Sequence, residues 1–382
     1  MTTESKMAGE QPKLADAGRI VVKIGSSLLV DDESGQLNRS WLVSLADEIV
    51  RMRDRGQQVI IVSSGAIALG RKYLGLGPEQ RRLEEHQAAA AAGQVLLAHA
   101  YQDLLGERNI RVAQVLLTLD DTENRRRYLN ARSTLETLLG LGAVPVINEN
   151  DTVATNEIRY GDNDRLGARV AEMISADCLT LLSDVDGLYD ADPTGNPSAR
   201  LITEVREITP EIESLAGATN TAYGSGGMRT KIMAARIAVA AGCATLIANG
   251  RRLRPIQAVE EGGPATWFIP RKSPLAARKQ WIGGSLKSRG RLVIDTGAAK
   301  ALVKGSSLLP VGVVAVEGDF ERGDAITVVD DRGHEIARGL AAYSGSDARK
   351  ISGRRSDEIE ELLGYAGRDV IIHRDDLVLL DG

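Results

Sequence analysis

The run Ala143-Val-Pro-Val-Ile147 and the polar stretch behind it, Asn148-Glu-Asn-Asp151 and then Arg159-Tyr-Gly-Asp-Asn-Asp164, decide how the chain is read. The run is short and rich in apolar residues, the pattern of a buried strand. A helical pattern begins at Leu166, with Asp162 or Asn163 placed to cap it. Between them stand Asn148, Glu149, Asn150, Asp151, Asn156, Glu157, Asp162, Asn163 and Asp164. Acids and amides this dense are costly to bury without partners. They make either a solvated loop or a pocket for a small ligand carrying a cationic amine or metal-bound phosphates. Position favours the pocket, because ligands of parallel α/β sheets bind beyond the carboxyl ends of the strands.

Working outward, the chain alternates strand and helix. Arg19-Ile-Val-Val-Lys-Ile24 reads as a strand closed by Gly25-Ser-Ser27. Lys23 there is either an ordinary lysine or one that reaches a phosphate beside the turn's N–H groups. Ser40 to Arg55 has helical spacing, and Val59-Ile-Ile-Val62 is the next strand. Ser63-Ser-Gly-Ala-Ile67 then leads into a helix, either a plain tight turn or an anion seat. Leu83 to Leu105 is an Ala-rich helix, with His86 and His99 as surface or packing residues. Val112 to Leu117 is a strand, Ala131 to Leu139 a helix, and Thr152 to Tyr160 a possible small hairpin. Cys178-Leu-Thr-Leu-Leu182 is a strand ended by Ser183-Asp184, and the Pro-containing tract Val185 to Arg200 is irregular. Thr221 to Lys231 is a Gly-rich loop that opens a helix running to Ala241. It lacks the endings of the P-loop and of the dinucleotide fingerprint. It is either a flexible loop or a second phosphate element. Ala244 to Ala248 and Thr266 to Ile269 close the sheet.

This alternation predicts a three-layer α/β/α sandwich with a mainly parallel sheet over residues 19–270. Residues 1–18 are polar and are expected to be a disordered tail without a signal-peptide core. Residues 271–290 hold basic residues and no acid, and read as a linker. Residues 291–374 switch to short β runs separated by turns, with short helices between Ser346 and Leu363, a small mostly-β domain.

The 382 residues exceed one ordinary domain. Hydrophobic residues make up 43%, yet only 2 Phe, 3 Trp and 8 Tyr are present. The core must therefore be built from Ala, Val, Ile and Leu, which suits parallel strands under helices. A net charge of −5 argues against a general nucleic-acid binder. Cys178 and Cys243 lie in apolar runs and read as buried thiols of a reduced, cytoplasmic protein. No apolar run approaches membrane-spanning length.

Taken together, the ordered motifs at Lys23, Ser63-Ser-Gly-Ala-Ile-Ala68, Asn148-Glu-Asn-Asp151, Gly161-Asp-Asn-Asp164, Ser183-Asp184 and Ser225-Gly-Gly-Met-Arg-Thr-Lys231 resemble the amino-acid kinase family. The closest resemblance is to the branch that phosphorylates the γ-carboxylate of L-glutamate from ATP, the first step of proline synthesis. The last third looks like a PUA domain. The resemblance implies ATP and Mg²⁺, proline as feedback inhibitor, and a cytoplasmic homo-oligomer, dimer or tetramer. It gives Lys23, Lys231 and Asp164 the catalytic positions. Ser64, Asp151 and Asn163 fall on substrate positions, with Asp162 and Glu149 in support. Lys23, Ser183, Asp184, Ser225, Gly226, Gly227, Met228, Arg229, Thr230 and Lys231 fall on the nucleotide side, and no metal ligand is assigned. In this reading Asp151 pairs with the α-ammonium, while Ser64 and Asn163 donate to carboxylate oxygens. Alternatives are a kinase for acetylglutamate, aspartate or carbamate, an RNA-binding protein acting through the PUA-like domain, and an amino-acid sensor without turnover.

Overall fold

Residues 12–31, 34–77, 82–153, 163–216, 227–284 and 287–380 are described by the structure, a computed structural model. The chain divides into two compact units, Met1–Pro274 and Leu275–Gly382.

In the first unit the strands are β1 (Arg19–Ile24), β2 (Gln58–Ser63), β3 (Val112–Leu117), β4 (Val144–Glu149), β5 (Cys178–Ser183), β6 (Leu188–Tyr189), β7 (Leu201–Ile202), β8 (Glu204–Val205), β9 (Ala244–Asn249) and β10 (Ala265–Phe268). Eight of them form one sheet in the order β3-β4-β2-β1-β5-β9-β10-β8. Every pair from β3 to β9 is parallel, and β10 runs antiparallel to β9. Both faces are covered, which is why the central strands read as unbroken apolar runs. On β1, Ile20, Val22 and Ile24 face one core with Trp41, Leu45, Ile49 and Leu97. Val21 faces the other, with Leu166, Val170, Ile232 and Ala235. This is the expected three-layer sandwich with a mainly parallel sheet.

Strand order reverses at β1, with β2 on one side and β5 on the other. Such a switch point opens a crevice at the carboxyl ends of the strands. Ile24 pairs with Ser63 and with Leu182, so the ends of β1, β2 and β5 lie nearly level.

Helix Ala66–Tyr73 crosses helix Leu83–Gly106 through glycine on both sides. A Cβ on Gly70 would stand 1.7 Å from the Ala89 carbonyl oxygen, and one on Gly93 would stand 1.7 Å from that of Ala66. The crossing seats the long helix against the turn at the end of β2.

The part of the 1–18 stretch that is described does not behave as a tail. Leu14 is buried, and Gln57 Nε2 donates to the carbonyls of Leu14 and Ala17 at 2.8 and 2.6 Å. Leu14 and Ala17 are one turn apart, so even this short polar stretch presents an apolar face to the core.

The second unit has its own core around Leu292, Ile294, Val328, Ile351 and Ile371. Its five strands, β11 (Gly290–Ile294), β12 (Val313–Gly318), β13 (Ala325–Val329), β14 (Glu335–Leu340) and β15 (Leu377–Leu379), form the sheet β12-β11-β13-β14-β15. Among the described residues, Ile372 makes one isolated bridge, to Leu308. The basic stretch 271–290, expected as a linker, contains helix Pro274–Gly284. Ile282 packs on Ala325 and Leu340, and buried Arg278 makes a forked contact with Asp376 at 2.9 and 2.6 Å. Charge alone misled, because the acid that neutralises Arg278 lies far along the chain.

The long helix supplies its own control for the crossing. Alanine is favoured over glycine inside a helix by about 1 kcal/mol. Gly106→Ala, with open space around it, is expected to be neutral or stabilising. Gly93→Ala is expected to cost about 1–3 kcal/mol through overpacking. Denaturant titration of the two variants checks the difference, and equal shifts would remove the crossing as a constraint.

Candidate active site

The site begins with a buried charge. Asp164, the second residue of helix Asn163–Met173, is 1% exposed. Its Oδ1 lies 2.5 Å from Lys23 Nζ, and its Oδ2 lies 3.2 Å from Lys231 Nζ. Thr230 Oγ1 donates to the same Oδ2 at 2.8 Å. Lys23 comes from the carboxyl end of β1, and Lys231 from the first turn of helix Met228–Ala240. Both lysines are buried. Burial by itself pushes the Asp164 carboxyl up; the two ammonium groups outweigh that and hold it well below the usual carboxylate range. The three side chains carry one net positive charge in a place almost without water, which suits an anion.

Beside this charge lies a chain of amides. The Glu149 backbone N–H donates to Asn148 Oδ1 at 2.9 Å. That contact fixes which end of the Asn148 amide is oxygen, since a backbone N–H can only donate. Asn148 Nδ2 then faces Gln94 Oε1 at 2.8 Å. Asn163 Nδ2 approaches Asn148 Oδ1 at 3.2 Å, Ser64 Oγ at 3.0 Å and the Ser63 carbonyl at 3.5 Å. The expectation that Asn163 would donate to substrate therefore needs correction. Its NH₂ is engaged within the protein, and its Oδ1 is the buried atom without a hydrogen bond among the described residues.

Asp151 follows the same strand end and is 6% exposed. Its Oδ1 also lacks a hydrogen bond among the described residues. Burial first, and the neighbouring Glu149 second, push its carboxyl up to about 7. An acid buried in this way suits a cation brought by a ligand.

On the opposite side, Ser183 Oγ donates to Asp184 Oδ1 at 3.0 Å just beyond β5. Asp184 is exposed, and Arg251 approaches its Oδ2 at 3.8 Å. Helix Met228–Ala240 starts nearby in sequence order from Gly227, a cap without a side chain. Its first residues are half-buried, and Arg229 is exposed. Asp162, Ser225 and Gly226, and most of the proposed hairpin at 152–160, lie outside the described residues.

Lys23, Lys231, Asp164 and Thr230 thus come together, as do Ser64, Asn163 and Asn148. The sequence reading missed Gln94. The one available signal was a lone amide in an otherwise Ala-rich and apolar stretch of helix, Ala88 to Leu97.

Residues 18–249 match the amino acid kinase family, and residues 290–363 match the PUA domain. The glutamate 5-kinase of Paramagnetospirillum magneticum is 63% identical over 366 residues, covering 96% of this chain and 99% of its own. That of Rhodospirillum rubrum is 58% identical, with 94% and 96% covered, and that of Brucella anthropi 58%, with 96% and 97%. The chain therefore belongs to the amino acid kinase family and, within it, to the glutamate 5-kinases, with a PUA domain towards its C-terminal end.

Proposed function

We propose that this chain transfers the γ-phosphoryl group of ATP to the γ-carboxylate of L-glutamate, giving ADP and L-glutamate 5-phosphate, the first step of proline synthesis. The observation that carries the reading is Asp164 held between Lys23 and Lys231.

The reaction brings two anions together. A γ-carboxylate oxygen attacks the terminal phosphorus, and the bond to the β,γ-bridging oxygen breaks. Positioning and charge do most of such work. Two ammonium groups bound to one carboxylate give a fixed, net positive site that needs no rearrangement as charge develops. No general base is required, because the glutamate side chain is already ionised at neutral pH.

Asp151 and Asn163 Oδ1 would hold the α-ammonium, and the Ser64 hydroxyl would donate to a carboxylate oxygen. An N-acetylated substrate would leave Asp151 buried without its cation, which favours glutamate over acetylglutamate. Ser183, Asp184 and residues 225–231 would face the nucleotide. Mg²⁺ would arrive on the phosphates and supply charge neutralisation there. In this reading the ion is carried mainly by phosphate oxygens and water. Proline inhibition, a dimeric or tetrameric assembly and a cytoplasmic location belong to the same reading through the family. No helix among the described residues is long and apolar enough to cross a membrane.

ADP release measured across glutamate, acetylglutamate, aspartate and carbamate tests the substrate. Glutamate is expected to exceed the others, and preference for any of them would overturn the assignment. Lys23→Ala and Lys231→Ala are each expected to lower kcat by about 100-fold or more. Near-normal turnover in a folded variant would remove the charge-neutralising role.

Asp151 adds a pH dependence. Its ordinary value is 3.8, and in the folded protein it is raised to about 7. Between those values the folded state keeps a proton that the unfolded state has released, so stability falls as pH rises through this window. Asp151→Asn is expected to stabilise the ligand-free protein at about pH 8, on the order of 2 kcal/mol, with little effect near pH 4. The same variant should raise the KM for glutamate far more than that for ATP. Melting shifts that do not differ between the two pH values would show that the acid is not strained in the free protein.

A further inference from the structure

We propose that Gln94 is a further substrate-binding residue, its amide NH₂ donating to the α-carboxylate of glutamate; this deepens the reading of the amino-acid pocket given above and rests on it.

The direction of the amide chain leads to this assignment. The Glu149 N–H fixes Asn148 with its oxygen on one side and its NH₂ on the other. The atom of Gln94 that meets the Asn148 NH₂ must then be Oε1, at 2.8 Å. The Gln94 NH₂ is left pointing away from the network. Its Nε2 is buried and has no hydrogen bond among the described residues. Asn163 Oδ1, in the same network, is buried in the same condition, as is Asp151 Oδ1 two residues beyond the end of β4. One open donor and one open acceptor remain on the amide network, and a second open acceptor lies just past the strand that carries Asn148. A buried donor or acceptor left without a partner costs roughly 1–3 kcal/mol, so three of them together describe a ligand. The matching chemistry is an α-amino acid. Its ammonium meets the two oxygens, and its carboxylate meets the NH₂.

The same backbone contact removes the ambiguity that side-chain amides usually carry. Turning Gln94 over would set two NH₂ groups face to face. Turning Asn163 over would set its oxygen against Asn148 Oδ1 and the Ser63 carbonyl. A single N–H therefore decides the polarity of all three amides. The helix Leu83–Gly106 is held to its glycine crossing at Gly93, the residue before Gln94. The donor is thus mounted on a fixed part of the fold.

The test compares L-glutamate with 4-aminobutyrate. The latter keeps the amine and the carboxylate that accepts phosphoryl, and lacks the α-carboxylate. ADP release gives kcat/KM for each, and where 4-aminobutyrate turns over too slowly its Ki against glutamate serves instead. Two variants are compared with the wild type. Gln94→Glu keeps an acceptor for Asn148 and puts an oxygen where the donor stood. Gln94→Met removes both polar ends at similar volume. Both are expected to shrink the preference for glutamate by about 10-fold or more, through the KM for glutamate and not that for ATP, with 4-aminobutyrate changed less than about 3-fold. Equal losses on both ligands would make Gln94 a packing residue and overturn the proposal, as would an unchanged preference. Wild-type protein that releases no ADP with glutamate would instead sink the glutamate reading itself, and the role of Gln94 with it.

Discussion

One carboxylate between two ammonium groups sets the terms for the rest of the first unit. Taking three charged side chains out of water is expensive, and mutual attraction repays the cost only with good geometry and satisfied oxygens. Asp164 meets both conditions, with Lys23, Lys231 and Thr230 on its two oxygens. The set stands at the carboxyl ends of parallel strands, where ligands of such sheets bind.

The rigidity of this arrangement comes from where its members are mounted. Lys23 stands on β1, which is hydrogen-bonded on both sides to β2 and β5. Gly167, one turn into helix Asn163–Met173, lies beside the base of the Lys23 side chain, where a Cβ would stand 3.4 Å from the lysine Cβ and 3.5 Å from its Cγ. Lys231 and Thr230 share one helical turn opened by Gly227. Asn163 and Asp164 are adjacent at the start of a single helix, and consecutive helical side chains point about 100° apart. One residue can therefore serve the amide network while the next serves the ammonium pair. The two halves of the site are joined through a single peptide bond, which leaves little room for one to drift from the other.

Much of this could be read from the sequence, and the reason differs by element. The strands were legible because both faces of a covered sheet demand apolar residues, which leaves short unbroken runs such as Val59 to Val62. The charged site was legible because acids and amides so close to a buried strand have few bland explanations. What was not legible depended on partners far apart in the chain. The basic helix Pro274–Gly284 looked like a connector because Asp376, which neutralises Arg278, lies nearly a hundred residues away. Leu14 looked like part of a loose end because its partner Gln57 belongs to another strand entrance. Gln94 was invisible because an Ala-rich helix gives no hint of what one of its polar residues faces. The antiparallel sense of β10 was not signalled either, since a four-residue run carries no direction.

The two buried acids of the site show how one pocket assigns opposite duties to the same side chain. Asp164 and Asp151 are both almost sealed from solvent, and burial raises both. In Asp164 two lysines reverse the effect, so the carboxylate is charged whether or not a ligand is present. In Asp151 the charge that acts on it is another acid, Glu149, which adds to the effect. Environments that push like groups apart usually mark different roles. In the proposed reading Asp164 holds the two ammonium groups that meet the phosphoryl group, while Asp151, whose Oδ1 has no hydrogen bond among the described residues, takes the ammonium of the substrate. On that reading, selectivity for a free amine and the raised carboxyl of the empty protein have one origin, since an acid kept for a ligand's cation costs stability until the cation arrives.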